Sequence, residues 1–258
     1  MGKLDGKVAL ISGGARGQGA AEARTFVREG ARVVFGDVRD GDGKEVQAQI
    51  HAGGGDAVYV HLDVTNEGDW RSAVQVTTDR YGKLDILVNN AGIVIPRVPI
   101  DERTVEDWDR VMAVNARGVF LGTKHAIPAM RRAGGGSIVN ISSTAGVHSS
   151  GGLAYTGSKF AITGLTKTAA HMLGPEKIRI NSVHPGWMKT PQTEVVPQEW
   201  VASLLPLRTI MDTKEVAKLV SFLASDDSSM VTGSEYLIDA GSLLMGARDI
   251  VDRMAEHM

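Results

Sequence analysis

Tyr155 and Lys159 stand four residues apart in Tyr155-Thr156-Gly157-Ser158-Lys159, a spacing that puts both on one face of a helix. A free phenol, with a pKa of about 10, is a poor proton acceptor near neutrality. An ammonium group beside it favours the phenolate and brings that pKa towards a working range. Thirteen residues upstream, Ser142 closes the apolar run Ser137-Ile138-Val139-Asn140-Ile141. If that run is a strand of a parallel sheet, its C-terminal end faces a ligand crevice. The three residues then form a proton-transferring group with a hydroxyl next to it. A surface helix carrying an ordinary aromatic–cation pair is the competing reading of Tyr155 and Lys159 alone.

A second group of residues has the chemistry of an anion cradle. The run Val8–Ser12 leads into Gly13-Gly14-Ala15-Arg16-Gly17-Gln18-Gly19. Such a glycine turn before a helix lets backbone N–H groups approach a pyrophosphate at the helix N-terminus. The spacing G-x-x-x-G-x-G differs from the common G-x-G-x-x-G fingerprint, so the turn alone also reads as purely structural. Asp37, eighteen residues beyond Gly19 at the end of the next strand-like run, is placed to accept hydrogen bonds from an adenosine ribose. A carboxylate there repels a 2′-phosphate, which favours NAD over NADP, although Arg16 and Arg39 lie close enough in sequence to offset part of that repulsion.

The elements that must position these residues alternate along the chain. Val8–Ser12, Arg32–Gly36, Ala57–His61, Ile86–Asn89, Ser137–Ser142, Ile178–His184 and Tyr236–Asp239 read as strands, several of them continuously apolar, as in a parallel sheet covered on both faces. Gly17–Glu29, Asp42–His51, Glu67–Tyr81, Thr104–Met130 and Ala154–Leu173 read as helices. The alternation predicts a doubly wound, right-handed α/β sheet of Rossmann type with about seven strands and helices on both faces. No repeat or linker divides the 258 residues, so residues 1–258 are expected to form one domain. A lid is expected over about 187–212, and the tail 241–258 carries Ile250, Val251, Met254 and Met258 at helical spacing.

Composition narrows the function classes. Hydrophobic residues make up 43% and charged residues 22% of the chain, with 31 glycines and 8 prolines, the profile of an ordinary globular domain rich in tight turns. A net charge of −2 gives no electrostatic case for nucleic acid. The absence of cysteine excludes disulfides, zinc thiolates and thiol catalysis, and is compatible with a reducing cytoplasm. No apolar signal or membrane span is expected. The histidines are scattered without an i, i+4 pair, so no metal site is expected. Ser142-Ser143 with His148 lacks the G-x-S-x-G surroundings of a serine nucleophile.

Taken in order along the chain, these features resemble the short-chain dehydrogenase/reductase family in its compact single-domain form. The resemblance rests on Gly13–Gly19, Asp63-Val64, Asn89-Asn90-Ala91-Gly92, Asn115, Ser142, Tyr155 with Lys159, and Pro185-Gly186 followed by Thr190. It implies a catalytic set of Ser142, Tyr155, Lys159 and Asn115. Tyr155 would be the general acid/base, Ser142 would hold the substrate oxygen, and Lys159 would lower the Tyr155 pKa and bind the nicotinamide ribose. Asn115, a poor helix former in a helix interior, would hold a water linking Lys159 to solvent; a helix-distorting core amide is its other reading. The resemblance further implies cofactor contacts from Gly13, Arg16, Gly17, Gln18, Gly19, Asp37, Asp63, Val64, Asn90, Ala91, Gly92, Tyr155, Lys159, Pro185, Gly186, Met188, Thr190 and Thr193. His171 and Ala240 depart from the family pattern, where an acid and a glycine are frequent.

Substrate choice is expected to lie in Gly92–Asp101, Thr144–Leu153 and Trp187–Met211, the last contributing Trp187, Met188, Val195, Val196, Trp200, Leu204 and Leu205. An apolar lid points to a hydrophobic alcohol or ketone, unless these residues only pack the lid onto the body. Gly134–Ser142 and Arg179–Pro191 resemble the bacterial 3α(or 20β)-hydroxysteroid dehydrogenases, which implies an NAD-linked hydroxysteroid/ketone conversion in a homotetramer. An NADPH-linked 3-oxoacyl thioester reductase of the same fold and a non-catalytic nucleotide sensor are the alternatives.

Overall fold

A computed structural model of the chain describes residues 2–189 and 197–246. The apolar runs become strands β1 (Val8–Ser12), β2 (Arg32–Asp37), β3 (Ala57–His61), β4 (Ile86–Asn89), β5 (Gly136–Ile141), β6 (Ile178–Pro185) and β7 (Glu235–Ile238). They form one sheet in the order β3-β2-β1-β4-β5-β6-β7, every neighbouring pair parallel. The expected doubly wound single-domain fold is therefore the observed one, with strand ends within two residues of those read from the sequence.

Alternation along the strands builds a core on each face. Ala9, Ile11, Val33, Phe35 and Val139 point to one side, where α1 (Gly17–Arg28), α2 (Asp40–Ala52) and α8 (Thr213–Ala224) pack. Val8, Leu10, Val34, Leu87 and Ile138 point to the other, against α3 (Glu67–Tyr81), α5 (Gly118–Ala133) and α6 (Leu153–Leu173). Strand order reverses about β1, which pairs with β2 on one side and β4 on the other. Loops leaving the two sides part there, and a crevice opens above the carboxyl ends of the strands.

Two helical expectations change. The helix expected over 104–130 is three pieces: α4 (Val105–Met112), a π-helical turn at Ala113–Arg117 and α5. The widened turn carries Asn115, whose side chain leaves the helix to bond elsewhere, a common setting for π-bulges. Helix α8 was absent from the expected set. Its signals are local: Asp212 caps it by accepting from Lys214 N at 2.9 Å, and Val216, Val220 and Leu223 recur on its buried face. Within the expected lid lies the short α7 (Gln198–Leu204), and the lid's base is closed by a bridge between Met188 and Met211. Thr190, Thr193, Val195, Val196 and the expected tail helix lie outside the described residues. Among the described residues no helix is long and apolar enough to cross a membrane, and no group of three or more His, Asp or Glu residues is placed to hold a metal ion.

The core beneath α1 carries a titratable group. Glu22, on the inner face of α1, is fully buried. Its Oε1 accepts from Gln18 Nε2 at 2.8 Å, while its Oε2 has no hydrogen-bond partner. Burial pushes its pKa up to about 8, since an unpaired carboxylate is costly to desolvate. The folded chain thus keeps a proton that the unfolded chain releases near pH 4.5. Its contribution to stability is full below that pH and is lost as the pH rises through about 8. Glu22→Gln mimics the protonated acid and removes this loss. Thermal melts of both proteins from pH 5 to 9 are expected to diverge upwards in pH, with the variant more stable at pH 8.5 by at least about 2–4 °C, the shift for roughly 1 kcal/mol in a chain of this size. Parallel curves would refute the assignment.

Candidate active site

At the carboxyl end of β1 the chain turns sharply at Gly13, where φ is 68°. A Cβ on Gly13 would lie 2.8 Å from Ala91 Cα, and one on Gly19 would collide with the Gly13 carbonyl and the Asn90 amide. Both positions therefore require glycine for close packing of the turn against the end of β4. Asn90 holds that packing: its Nδ2 donates to Ser12 O at 3.0 Å and to Gly13 O at 3.1 Å. Ser12 Oγ accepts from Asn90 N and Ala91 N from the other side. Gly17, at φ 53°, has open space where its Cβ would be. Helix α1 starts there with no side-chain cap and no acid in its first turn, so its leading N–H groups are left for an anion.

Asp37 ends β2 beside this turn, with Oδ2 accepting from Ala15 N at 3.2 Å and Oδ1 from Arg39 N at 3.1 Å. Arg39 itself turns to Asp42 at 3.5 Å. Asp63 is folded back on Thr65, whose N and Oγ1 both donate to its Oδ1, while Val64 packs under Gly118. All the expected cofactor residues from Gly13 to Met188 line one cavity of about 1170 Å³ that also contains Ser142, Tyr155 and Lys159. Pockets for one small ligand usually hold about 300–1,000 Å³, so this one has room for a dinucleotide and a second molecule. The glycine turn, the uncapped α1 and the carboxylate at the end of β2 fit a dinucleotide cofactor at that end.

At the other end, two hydrogen bonds tie β5 to α6. Lys159, 4% exposed, donates from Nζ to Ile141 O at 2.9 Å, and Ser142 Oγ donates to Lys159 O at 3.0 Å. Ser142 is buried, its hydroxyl hard against Gly146, where no Cβ would fit. Its proton is committed to the helix, which corrects the expected assignment of Ser142 as the substrate-holding hydroxyl. The next residue has the required placement. Ser143, in extended backbone at φ −170°, stands beside the Tyr155 phenol, where its hydroxyl favours the charged form, and its Oγ accepts from Ala145 N at 3.1 Å. Both serines border the cavity, but successive side chains at the end of a strand point to opposite sides: the Ser142 hydroxyl is turned to the Lys159 carbonyl, and the Ser143 side chain is the one beside Tyr155. The spacing that matters is twelve residues, and the Ser-Ser pair carries no signal that separates it from thirteen.

Electrostatics also differ from expectation. Burial raises the Tyr155 pKa above its ordinary value, and the Ser143 hydrogen bond opposes that rise. Burial lowers Lys159 to about 8, and its Nζ lies 5.6 Å from the Tyr155 ring centroid. The protein alone thus holds the phenol protonated at neutral pH. Asn115 is fully buried in the π turn, and its amide forms a clamp: Oδ1 accepts from Ile93 N at 2.8 Å, and Nδ2 donates to Ile93 O at 2.9 Å and to Ser158 Oγ at 3.0 Å. Ser158 Oγ in turn donates to Tyr155 O at 2.7 Å. Of the two readings of Asn115, the helix-distorting amide is visible, and it supports the loop and the helix that carry the site.

The substrate side of the cavity is walled by His148 and Ser150 from the loop before α6, and by Trp187, Trp200, Leu204 and Leu205 from the lid. Leu243 and Met245, at the start of the tail, add apolar surface. Leu243 is held by Asp239, whose Oδ2 accepts from its N at 2.9 Å. Ala240 adopts a left-handed φ of 53° and is buried with Val201, Leu205 and Ile210. The glycine-to-alanine departure thus places a methyl group under the lid at some cost in backbone strain.

A family model described as enoyl-(acyl carrier protein) reductase matches residues 13–242. The chain is 47% identical over 245 residues to a 3-alpha-(or 20-beta)-hydroxysteroid dehydrogenase of Mycobacterium tuberculosis, covering 94% of this chain and 91% of that protein. It is 45% identical to a trans-4-hydroxycyclohexanecarboxylate dehydrogenase of Sinomonas cyclohexanicum, covering 91% and 92%. The crystal structure of gox2181 superposes with a TM-score of 0.90 at 30% identity, covering 94% of this chain and 98% of that one. With a matching family model across most of its length, a shared fold and relatives that oxidise alcohols, the chain belongs to the short-chain dehydrogenase/reductase family of oxidoreductases.

Proposed function

We propose that the protein transfers hydride between NAD and a secondary alcohol or ketone borne on a bulky hydrophobic ring, with a hydroxysteroid as the best-supported substrate. The observation that carries this reading is the junction of Ser143 and Tyr155, where the nucleotide half of the cavity meets its apolar half. Bound NAD supplies the hydride acceptor. Ser143, whose Oγ takes Ala145 N as donor and keeps its own proton to give, holds the substrate oxygen. Tyr155 gives its proton to a ketone oxygen or takes one from an alcohol. Its raised pKa suits the donor role at neutral pH. Lys159 keeps a positive charge below Tyr155 up to a pH of about 8, which stabilises the phenolate when it forms.

Several features support the finer choices. Asp37 presents a carboxylate to the ribose end, and Arg39, one of the two cations that would welcome a 2′-phosphate, is turned to Asp42. The relatives named above take hydroxyls on rings, and the lid offers Trp187, Trp200, Leu204 and Leu205 to such a body. Exposed Phe120 on α5, Phe160 on α6 and Leu237 on β7 are apolar surface that a homotetramer would cover, and a cytoplasmic setting fits a chain without cysteine.

Two outcomes are expected. Across a panel of hydroxysteroids and cycloalkanols, kcat/KM with NAD exceeds that with NADP, and Asp37→Ala lowers the NAD/NADP ratio by about 10-fold or more, the loss of roughly one charge-assisted hydrogen bond. Turnover of an acyl thioester with NADPH and of no cyclic alcohol would overturn the reading. Between the two serines, Ser143→Ala lowers kcat by about 10²–10³, as for loss of an oxyanion donor. Ser142→Ala lowers the melting temperature and costs less kcat per folded enzyme than Ser143→Ala; a larger kcat loss in Ser142→Ala would restore Ser142 to the catalytic position.

A further inference from the structure

His184 lies on β6, fully buried, behind the turn that carries Ser143. One ring nitrogen, Nδ1, is 3.0 Å from Ser143 O, and the other, Nε2, is 2.8 Å from Ser182 Oγ. A carbonyl oxygen only accepts, so Nδ1 carries the proton and donates to Ser143. In the neutral ring Nε2 then accepts from the Ser182 hydroxyl, and both nitrogens are satisfied. Burial lowers the His184 pKa and outweighs the hydrogen bond to Ser143 O, which by itself raises it; Lys159 and Lys167 on α6 push the same way as burial. Glu235 on β7 pulls it up from 3.9 Å, but that carboxylate is already paired with Lys167 at 2.7 Å.

The effect on Ser143 is to fix its main chain from two directions. Its carbonyl accepts from Gly146 N at 2.8 Å within the turn and from His184 across the sheet. Its Oγ is held by Ala145 N. The hydroxyl proton is then the one group left to aim, and the side chain that carries it borders the cavity beside Tyr155. Of these restraints His184 alone comes from outside the turn, from a strand whose own register against β5 is fixed at six positions.

We propose that His184 is a positioning residue of the reaction, a neutral Nδ1–H donor that anchors the Ser143 backbone so that its hydroxyl meets the substrate oxygen. This rests on the reading of Ser143 given above. Asparagine can present an N–H near the position of Nδ1, whereas leucine fills similar space without a donor. In His184→Leu, kcat per folded enzyme is expected to fall about 10–100-fold, the scale of an ångström's misplacement at a reacting group. Its affinity for NADH, read by NADH fluorescence, stays within about 3-fold, since the nucleotide half of the cavity is untouched. His184→Asn restores most of kcat. In the Ser143→Ala background His184→Leu costs little more, because residues acting as a unit are not additive.

Wild-type kcat in His184→Leu overturns the proposal, and so do equal losses in the leucine and asparagine variants. Normal turnover in Ser143→Ala alone would instead overturn the reading of Ser143, so the two failures are distinguishable. Should the leucine variant fail to fold, long-range ¹H–¹⁵N NMR of the histidine rings in the wild-type protein decides. A neutral ring protonated on Nδ1 at pH 7 supports the proposal, and a charged ring or one protonated on Nε2 overturns it.

Discussion

Two reciprocal hydrogen bonds between the end of β5 and the body of α6 set the geometry on which the site depends. Lys159 reaches down to Ile141 O and Ser142 reaches across to Lys159 O, so strand and helix are tied at one point from both sides. With that point fixed, Tyr155 stands one turn earlier on the helix and Ser143 one residue later on the strand's exit. Neither can move without breaking a buried polar contact, and such breaks cost about 1–3 kcal/mol each. Asn115 adds a second tie through Ser158 to the backbone of Tyr155 itself. The chemistry is thus carried by side chains whose supports lie in the core and not in the loops around the substrate.

The same burial that fixes the site sets its charges. Tyr155 is raised and Lys159 is lowered, both through loss of water and each towards its neutral form. A protein that only needed stability would gain by replacing this pair with apolar residues. Keeping a lysine in the core beside a phenol makes sense where a proton must leave or arrive. The nucleotide end uses the opposite device, leaving the N-terminus of α1 uncapped and its first turn free of acids, so that backbone dipoles meet an incoming anion.

Much of this was legible in the sequence. Strand positions followed from apolar runs bounded by turn residues, because a strand buried on both faces has little room for polar side chains. The glycine turn and Asp37 were legible because only glycine fits where Gly13 and Gly19 pack against Ala91, Asn90 and each other. Ser143 was not, because Ser142-Ser143 presents two hydroxyls at adjacent positions and the side each faces is decided by where β5 ends. The π turn was not, because a widened turn leaves the apolar spacing of 104–130 nearly intact and only the poor helix former Asn115 marks it. The roles of His184 and Glu22 were invisible for a related reason: each is a titratable residue whose role is set by partners that are remote or one turn away.

The central claim is that Tyr155 moves the proton in a reaction whose hydride goes to or from NAD. It is tested most directly by single-turnover kinetics of Tyr155→Phe with saturating NAD and a cyclic secondary alcohol, alongside NADH binding to the same variant. Loss of proton transfer is predicted to slow the step by at least about 10²–10⁴-fold, with NADH binding within a few-fold of wild type. A variant that turns over at close to the wild-type rate would contradict the assignment of Tyr155, and with it the account of the site built around it.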